Sequence, residues 1–226
     1  MCRFIYLSYR IGSDTPLYPG TVALDIKKVK DMSIGDPCDT VSLTLSDHSG
    51  THIDSPSHFL PDGKTIADYS MQELVFTAPG FIDCLKSPNE SIGVEDLKRA
   101  PVGRNIDALL IRTGFGRYRE SDPNTYCYHN PFFLPEAAEW IRMEFPRLRF
   151  LGIDMISFSC KRQRALGAQT HKILFSSEAY KGSPLLIAED MDLPEDVHTL
   201  DQLVIMPIFK ARIGGSPCSA LGVLHD

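Results

Sequence analysis

Short apolar runs recur along the chain at 4–7, 41–45, 81–84, 108–111, 150–153, 185–188 and 203–209. Each has the length of a strand and is followed by polar residues or by Gly/Pro punctuation. At 41–45 the pattern is a strict alternation, with Val41, Leu43 and Leu45 interleaved by Ser42, Thr44 and Ser46, the period of a half-buried strand. Helical patterns fall between some of the runs. The clearest, 135–144, opens with Pro135 at a first helical position and carries acids in its first turn. Shorter helices are predicted at 94–99 and 170–175. Strands and helices mixed along one chain, with too few crossover helices to join every strand pair, predict an α/β fold built on a mixed sheet. No linker, internal repeat or low-complexity block divides the chain, so residues 1–226 are expected to form a single domain.

Composition agrees with this picture. The chain has 226 residues, 43% of them hydrophobic, enough to bury roughly 70–75% of the surface an unfolded chain exposes. That content excludes disorder. The longest apolar stretch, 203–209, has seven residues and includes Pro207, far short of the ~20 that span a bilayer. The first twelve residues show no signal-peptide pattern, and a cytoplasmic protein is expected. The net charge of −6 argues against nucleic-acid and anionic-membrane partners. The six cysteines are never closer than 33 residues, so neither a CxxC site nor a disulfide framework is expected, and reduced, mostly buried thiols are.

Candidate chemistry concentrates in one segment, where His48, His52 and His58 fall within eleven residues, together with Asp54. Continuing the 41–45 alternation puts His48, Gly50, His52 and Asp54 on the polar face. An extended chain would still hold His48 and His52 ~13 Å apart, at ~3.3 Å per residue. Two imidazoles on one ion must bring their nitrogens within a few Å, so the chain must bend, and Gly50 is the easiest place for it. Imidazole plus carboxylate suits zinc, manganese or iron, and the lack of a nearby cysteine points to a catalytic site. The competing interpretation is a polar strand end with surface histidines. Thr51 has two roles open to it, a bond to a ligand or to local backbone.

The segment His48-x-Gly50-Thr51-His52-x-Asp54-x-Pro56-x-His58-Phe59 resembles, at every named position, the HxGTHxDxPxHF signature of the metal-dependent cyclase-like hydrolases, a family that includes bacterial-type kynurenine formamidases and isatin hydrolases. Further resemblances run along the chain: Tyr18-Pro19-Gly20, the Leu110–Gly114 stretch LIRTG, Gly152-Ile153-Asp154, the 187–193 stretch IAEDMDL, and Gly215-Ser216-Pro217. The resemblance implies a swivelling β/β/α fold, one or two divalent ions (Zn or Mn), and a homodimer or homotetramer. It implies His48, His52 and Asp54 as ligands of a first ion, Asp54 as a bridge to a second, and His171 and Glu189 as that ion's other ligands. His58 corresponds to a general acid/base. The residues at 176–183, between His171 and Glu189, read as an inserted loop.

The expected reaction is hydrolysis of a small amide C–N bond, with N-formylkynurenine as the first substrate to consider. Opening of an isatin-type lactam or a lactone is the alternative, and a metal-binding protein without turnover is the alternative of another class. No GxSxG elbow or Walker A loop is present, and Gly114-Phe115-Gly116 lacks the third glycine of a dinucleotide fingerprint. The basic stretch Lys161-Arg162-Gln163-Arg164 is either a solvated loop or a contact for a substrate carboxylate. Tyr126, Tyr128, His129, Phe132 and Phe133 either pack beneath a loop or line a pocket for a flat substrate.

Overall fold

A computed structural model describes residues 2–178, 180 and 182–225, the side chains of Cys2 and His225 excepted. Residues 179 and 181 of the expected 176–183 loop lie outside the described residues.

Four of the apolar runs form neighbouring parallel strands, in the order Pro79–Asp83, Ala108–Arg112, Phe150–Ile153 and Leu186–Glu189. The sheet continues antiparallel through His52–Asp54, Gly215–His225, Leu200–Pro207 and Val75–Phe76, with Cys2–Tyr6 also paired to the long 215–225 strand. The two ends of this path, Val75–Phe76 and Pro79–Asp83, are separated by only two residues of chain. The sheet therefore curls until its edges nearly meet.

Alternation along the strands feeds two cores. Leu109, Ile111, Leu151, Ile153 and Ile187 point outward, where the helices Pro135–Glu144 and Arg164–Phe175 cover them. Leu110, Phe150, Leu186 and Ala188 point inward against Leu7, Ile53, Phe76, Leu203 and Ile205 from the antiparallel half. This is the expected α/β architecture, a mixed sheet with helices on one side, matching the swivelling β/β/α fold. The 135–144 helix begins at Pro135 as predicted. The helix expected at 170–175 starts earlier, at Arg164, because Gly167 interrupts its apolar pattern without breaking it. No helix among the described residues is long and apolar enough to cross a membrane.

The alternating 41–45 segment departs from expectation. It is a strand, Thr40–Thr44, but it pairs with Asp25–Lys30 in a separate two-stranded ribbon and is exposed along its whole length. The register, Ile26 opposite Leu43 and Lys28 opposite Val41, puts Ile26, Val41 and Leu43 on one face, with Lys28 beside them, and Asp25, Lys27, Ser42 and Thr44 on the other. Alternation reports amphipathicity; here nothing among the described residues covers that face.

Candidate metal centre

After the ribbon the chain turns sharply through 47–51, where Gly50 adopts φ +64, so the bend falls where the sequence placed it. It re-enters the sheet as the fully buried three-residue strand His52–Asp54. Side chains two apart on a strand share a face, so His52 and Asp54 point one way and Ile53 points into the inner core. Glu189 lies directly opposite His52 on one neighbouring strand, and Gly215 directly opposite Asp54 on the other. Both therefore share the face carrying His52 and Asp54.

The remaining histidines converge on that face. His58 arrives on a single 3-10 turn, Pro56–His58. His171 projects from the 164–175 helix, stacked on Phe59 with ring centres 4.5 Å apart. All six predicted site residues line one cleft of about 510 Å³, with Tyr18, Phe59, Ile156 and Arg164 among its walls. Donor atoms of His48, Asp54 and His58 fall within 4.8 Å of one another, as do those of His52, Asp54 and Glu189. Asp54 is common to both groups. The sixth residue, His171, approaches Glu189, Nε2 to Oε1, at 3.4 Å.

The site is short of positive charge. His52 and His171 each donate Nδ1–H to a backbone carbonyl, Gly50 at 2.8 Å and Gly167 at 2.7 Å. Because a carbonyl only accepts, the Nε2 lone pair of each ring is aimed inward. There it meets carboxylate oxygens: His52 Nε2 lies 3.4 Å from Glu189 Oε2 and 3.8 Å from Asp54 Oδ1. His48 Nε2 approaches Asp54 Oδ1 at 3.0 Å without hydrogen-bond alignment. Three buried atoms, His48 Nε2, His52 Nε2 and Asp54 Oδ1, thus have no hydrogen-bond partner, the two nitrogens lying 3.0 and 3.8 Å from that one oxygen.

Only a proton or a cation relieves lone pairs facing carboxylates. Burial opposes charge on His48, but Asp54 and Asp47 overcome it and raise its pKa to about 9. Burial likewise opposes charge on His52 and His171, and the neighbouring carboxylates again win. Asp54 and Glu189, pushed upward by burial, are held below their ordinary values by the surrounding imidazoles. Orphaned donors, two buried carboxylates and an N/O ligand set together fit a divalent cation.

Other expected features resolve differently. Thr51 bonds backbone, though distant rather than local: it donates to the Asp190 carbonyl and accepts from the Tyr9 N–H at 2.9 Å. Tyr126 and Phe133 are core residues, and none of the 126–133 aromatics lines the cleft. Asp154 accepts from the Thr113 N–H and hydroxyl and from the Gly114 N–H, which fixes the turn after the 108–112 strand. Sequence reasoning missed a buried network beneath Glu189. Asp190, at φ +53, receives both arms of Arg119 at 2.7 and 2.9 Å and the Tyr126 hydroxyl at 2.6 Å. Its one signal was an acid adjoining Glu189.

Comparison with known proteins agrees with the geometry. The family described as "Putative cyclase" matches residues 5–159. A kynurenine formamidase of Bacillus anthracis is 26% identical over 219 residues, covering 97% of this chain and 96% of the relative. One of Geobacillus thermodenitrificans (strain NG80-2) is 27% identical over 157 residues, 70% of each chain. Among solved structures, an isatin hydrolase bound to the product analogue thioisatinate superposes with a TM-score of 0.80 at 19% identity, covering 100% of this chain and 93% of the other. Isatin hydrolase A from Labrenzia aggregata, bound to benzyl benzoate, gives 0.78 at 17% identity, with 100% and 94% covered. With the family matched over most of its length, signature histidines included, the chain belongs to the cyclase family.

Proposed function

We propose that this chain is a metal-dependent hydrolase of a small amide C–N bond, with N-formylkynurenine as first candidate substrate and formate and kynurenine as products. The observation that carries this reading is the convergence of unpaired His48 Nε2, His52 Nε2 and Asp54 Oδ1 on one cleft floor. His48, His52 and Asp54 would hold one zinc or manganese ion, and Asp54, His171 and Glu189 a second. When bound, such an ion supplies Lewis acidity that polarises a carbonyl and lowers the pKa of water. The near full-length similarity to proteins named kynurenine formamidases supports the choice of substrate. Glu189 and Gly215 lie beyond the matched 5–159 stretch yet belong to the same sheet, which supports one catalytic domain over 1–226.

His58 is the group placed to move protons. Its Nε2 lies 4.0 Å from Asp54 Oδ2 and its side chain is partly open to the cleft. Burial lowers its pKa; Asp54 opposes that, and His48 and His171 reinforce it. The ring is therefore neutral at pH 7, able to take a proton from attacking water and return it to the departing nitrogen as the C–N bond breaks. Phe59 and Tyr18 provide flat walls for an aromatic leaving group.

Chelation should abolish hydrolysis of N-formylkynurenine, and zinc or manganese should restore it. Inertness of metal-reloaded protein towards open-chain formamides, with turnover of isatin or a lactone, would overturn the amide assignment in favour of ring opening.

The ribbon bears on assembly. Ile26, Val29, Val41 and Leu43 are 47%, 61%, 54% and 58% exposed, and an isolated two-stranded ribbon is marginal in water. A second copy covering this face would form the homodimer or homotetramer. Leu43→Asp should convert the assembly to monomer in sedimentation velocity at micromolar concentration. Monomeric wild-type protein, or an assembly unchanged by the substitution, would rule this contact out.

A further inference from the structure

One wall of the cleft is a single stripe of the 164–175 helix. Arg164, Ala168 and His171, at i, i+4 and i+7, all line it. The stripe thus runs from the metal-ligand cluster at His171 to a guanidinium two turns away, about 10 Å along the axis at 1.5 Å per residue.

That guanidinium is distinctive in its setting. Arg164 is the one Lys or Arg among the cleft-lining residues, and the two lining acids, Asp54 and Glu189, both belong to the cluster at the far end. Among the described residues the Arg164 side chain has no hydrogen bond or ion pair. Lys161 and Arg162, in the turn just before it, are exposed and likewise form no ion pair, Lys161 lying over the Tyr128 ring at 4.9 Å. A chain of net charge −6 therefore gathers three cations within four residues, of which Arg164 lines the cleft. Tyr18 stands beside Arg164: burial raises the phenol's pKa, while the Ser159 hydrogen bond and the guanidinium draw it down. Aromatic walls, Tyr18 and Phe59, lie in the same cleft.

The geometry points to Arg164 as a specificity-determining residue that binds a carboxylate on the substrate, remote from the scissile amide and joined to it by a flat aromatic group. This rests on the hydrolase reading above and narrows it to anionic aryl amides. A guanidinium takes a carboxylate through two parallel N–H···O bonds, which fixes the orientation of a flat molecule as well as its charge. Lys161 and Arg162, in the turn just before Arg164, add to the positive potential around it, an effect that salt screens.

The test compares a neutral amide, formanilide, with an anionic one of the same core, 4-formamidobenzoate, on the metal-loaded full chain. Arg164→Gln is expected to reduce the preference for the anion, as the ratio of the two kcat/KM values, on the order of tenfold, mainly through KM. Arg164→Glu should reduce it further, and added salt should erode the wild-type preference. Calorimetric titration with 4-aminobenzoate gives a readout independent of turnover: binding should weaken in Arg164→Gln by a similar factor. An unchanged ratio, or equal loss for both amides with unchanged 4-aminobenzoate affinity, would overturn the assignment. If wild-type protein hydrolyses neither amide while Arg164→Gln still weakens 4-aminobenzoate binding, the hydrolase reading fails and the anion site stands.

Discussion

Replacing Gly215 by Ala should empty the His48–Asp54 side of the cleft of metal while leaving the chain folded. A Cβ on Gly215 would lie 2.7 Å from His48 Nε2 and 3.0 Å from Asp54 Oδ1, in the space those two unpaired atoms share. The backbone there cannot yield, because Gly215 is paired with Asp54 and the Gly214 carbonyl accepts the Ser55 N–H at 2.7 Å. The His48 ring must give instead, yet its Nδ1 is held by Asp47 at 2.8 Å and its face lies 4.2 Å from the His58 ring. Displaced ligands and a methyl group in the cradle should weaken metal binding at least as much as losing an outer-shell partner, ~10–100-fold. Stability should change little, since Gly215 has an ordinary φ and the smaller entropy loss of Ala on folding offsets the displacement of the His48 ring. Metal content after dialysis, read beside the thermal midpoint of the metal-free protein, checks both halves. A drop from two ions to one would mean that the Glu189 side, with Asp54 and His171, holds its own ion, and a drop from one to none that a single ion spans both sides. Unaltered metal content and affinity would show that the Gly215 space plays no part in binding.

How much of this was legible in the chain follows from sequence separation. His48, His52, Asp54 and His58 fall within eleven residues, so spacing, strand alternation and one bend-prone glycine suffice to bring them near each other. The core strands were equally legible, because 108–111, 150–153 and 185–188 are continuous apolar runs buried on both faces. The same logic misread 41–45. An alternating pattern states that one face avoids water, not that this chain supplies the cover. Gly215 stood out only as part of a resemblance; its physical reason, a Cβ-sized gap between His48 and Asp54, needs a strand 161 residues downstream of Asp54 laid beside it. Arg164 was one of three neighbouring cations, and only helix phase separates it, on the cleft stripe, from Lys161 and Arg162 in the preceding turn. The Arg119–Asp190 pair, 71 residues apart, left only an acid adjoining Glu189 as its trace, with nothing to name its partner.

That pair should carry the largest stability effect in the molecule. Arg119 and Asp190 are both buried, and the carboxylate takes both guanidinium arms as well as the Tyr126 hydroxyl. The Tyr9 ring closes over the guanidinium at 3.9 Å. Arg119→Ala would leave a buried carboxylate with one neutral donor, a loss of about 3–5 kcal/mol, or roughly 6–20 °C in thermal midpoint for a chain of this size. The damage should reach the candidate metal centre too. Asp190 directly follows Glu189, and its carbonyl is tied to Thr51, the residue before His52. The network thus braces the two strands that carry Glu189 and His52, where these residues are paired. Two effects can be told apart by a second variant. Arg119→Met with Asp190→Asn removes the stranded charge and should recover much of the lost stability, while metal affinity, measured by chelator competition on folded protein, stays below wild type because the bidentate tie is gone. Full recovery of both would reduce the pair to a stability element. A midpoint for Arg119→Ala within 2 °C of wild type, against the drop expected above, would show that Asp190 finds other compensation and that the buried ion pair is not what braces these strands.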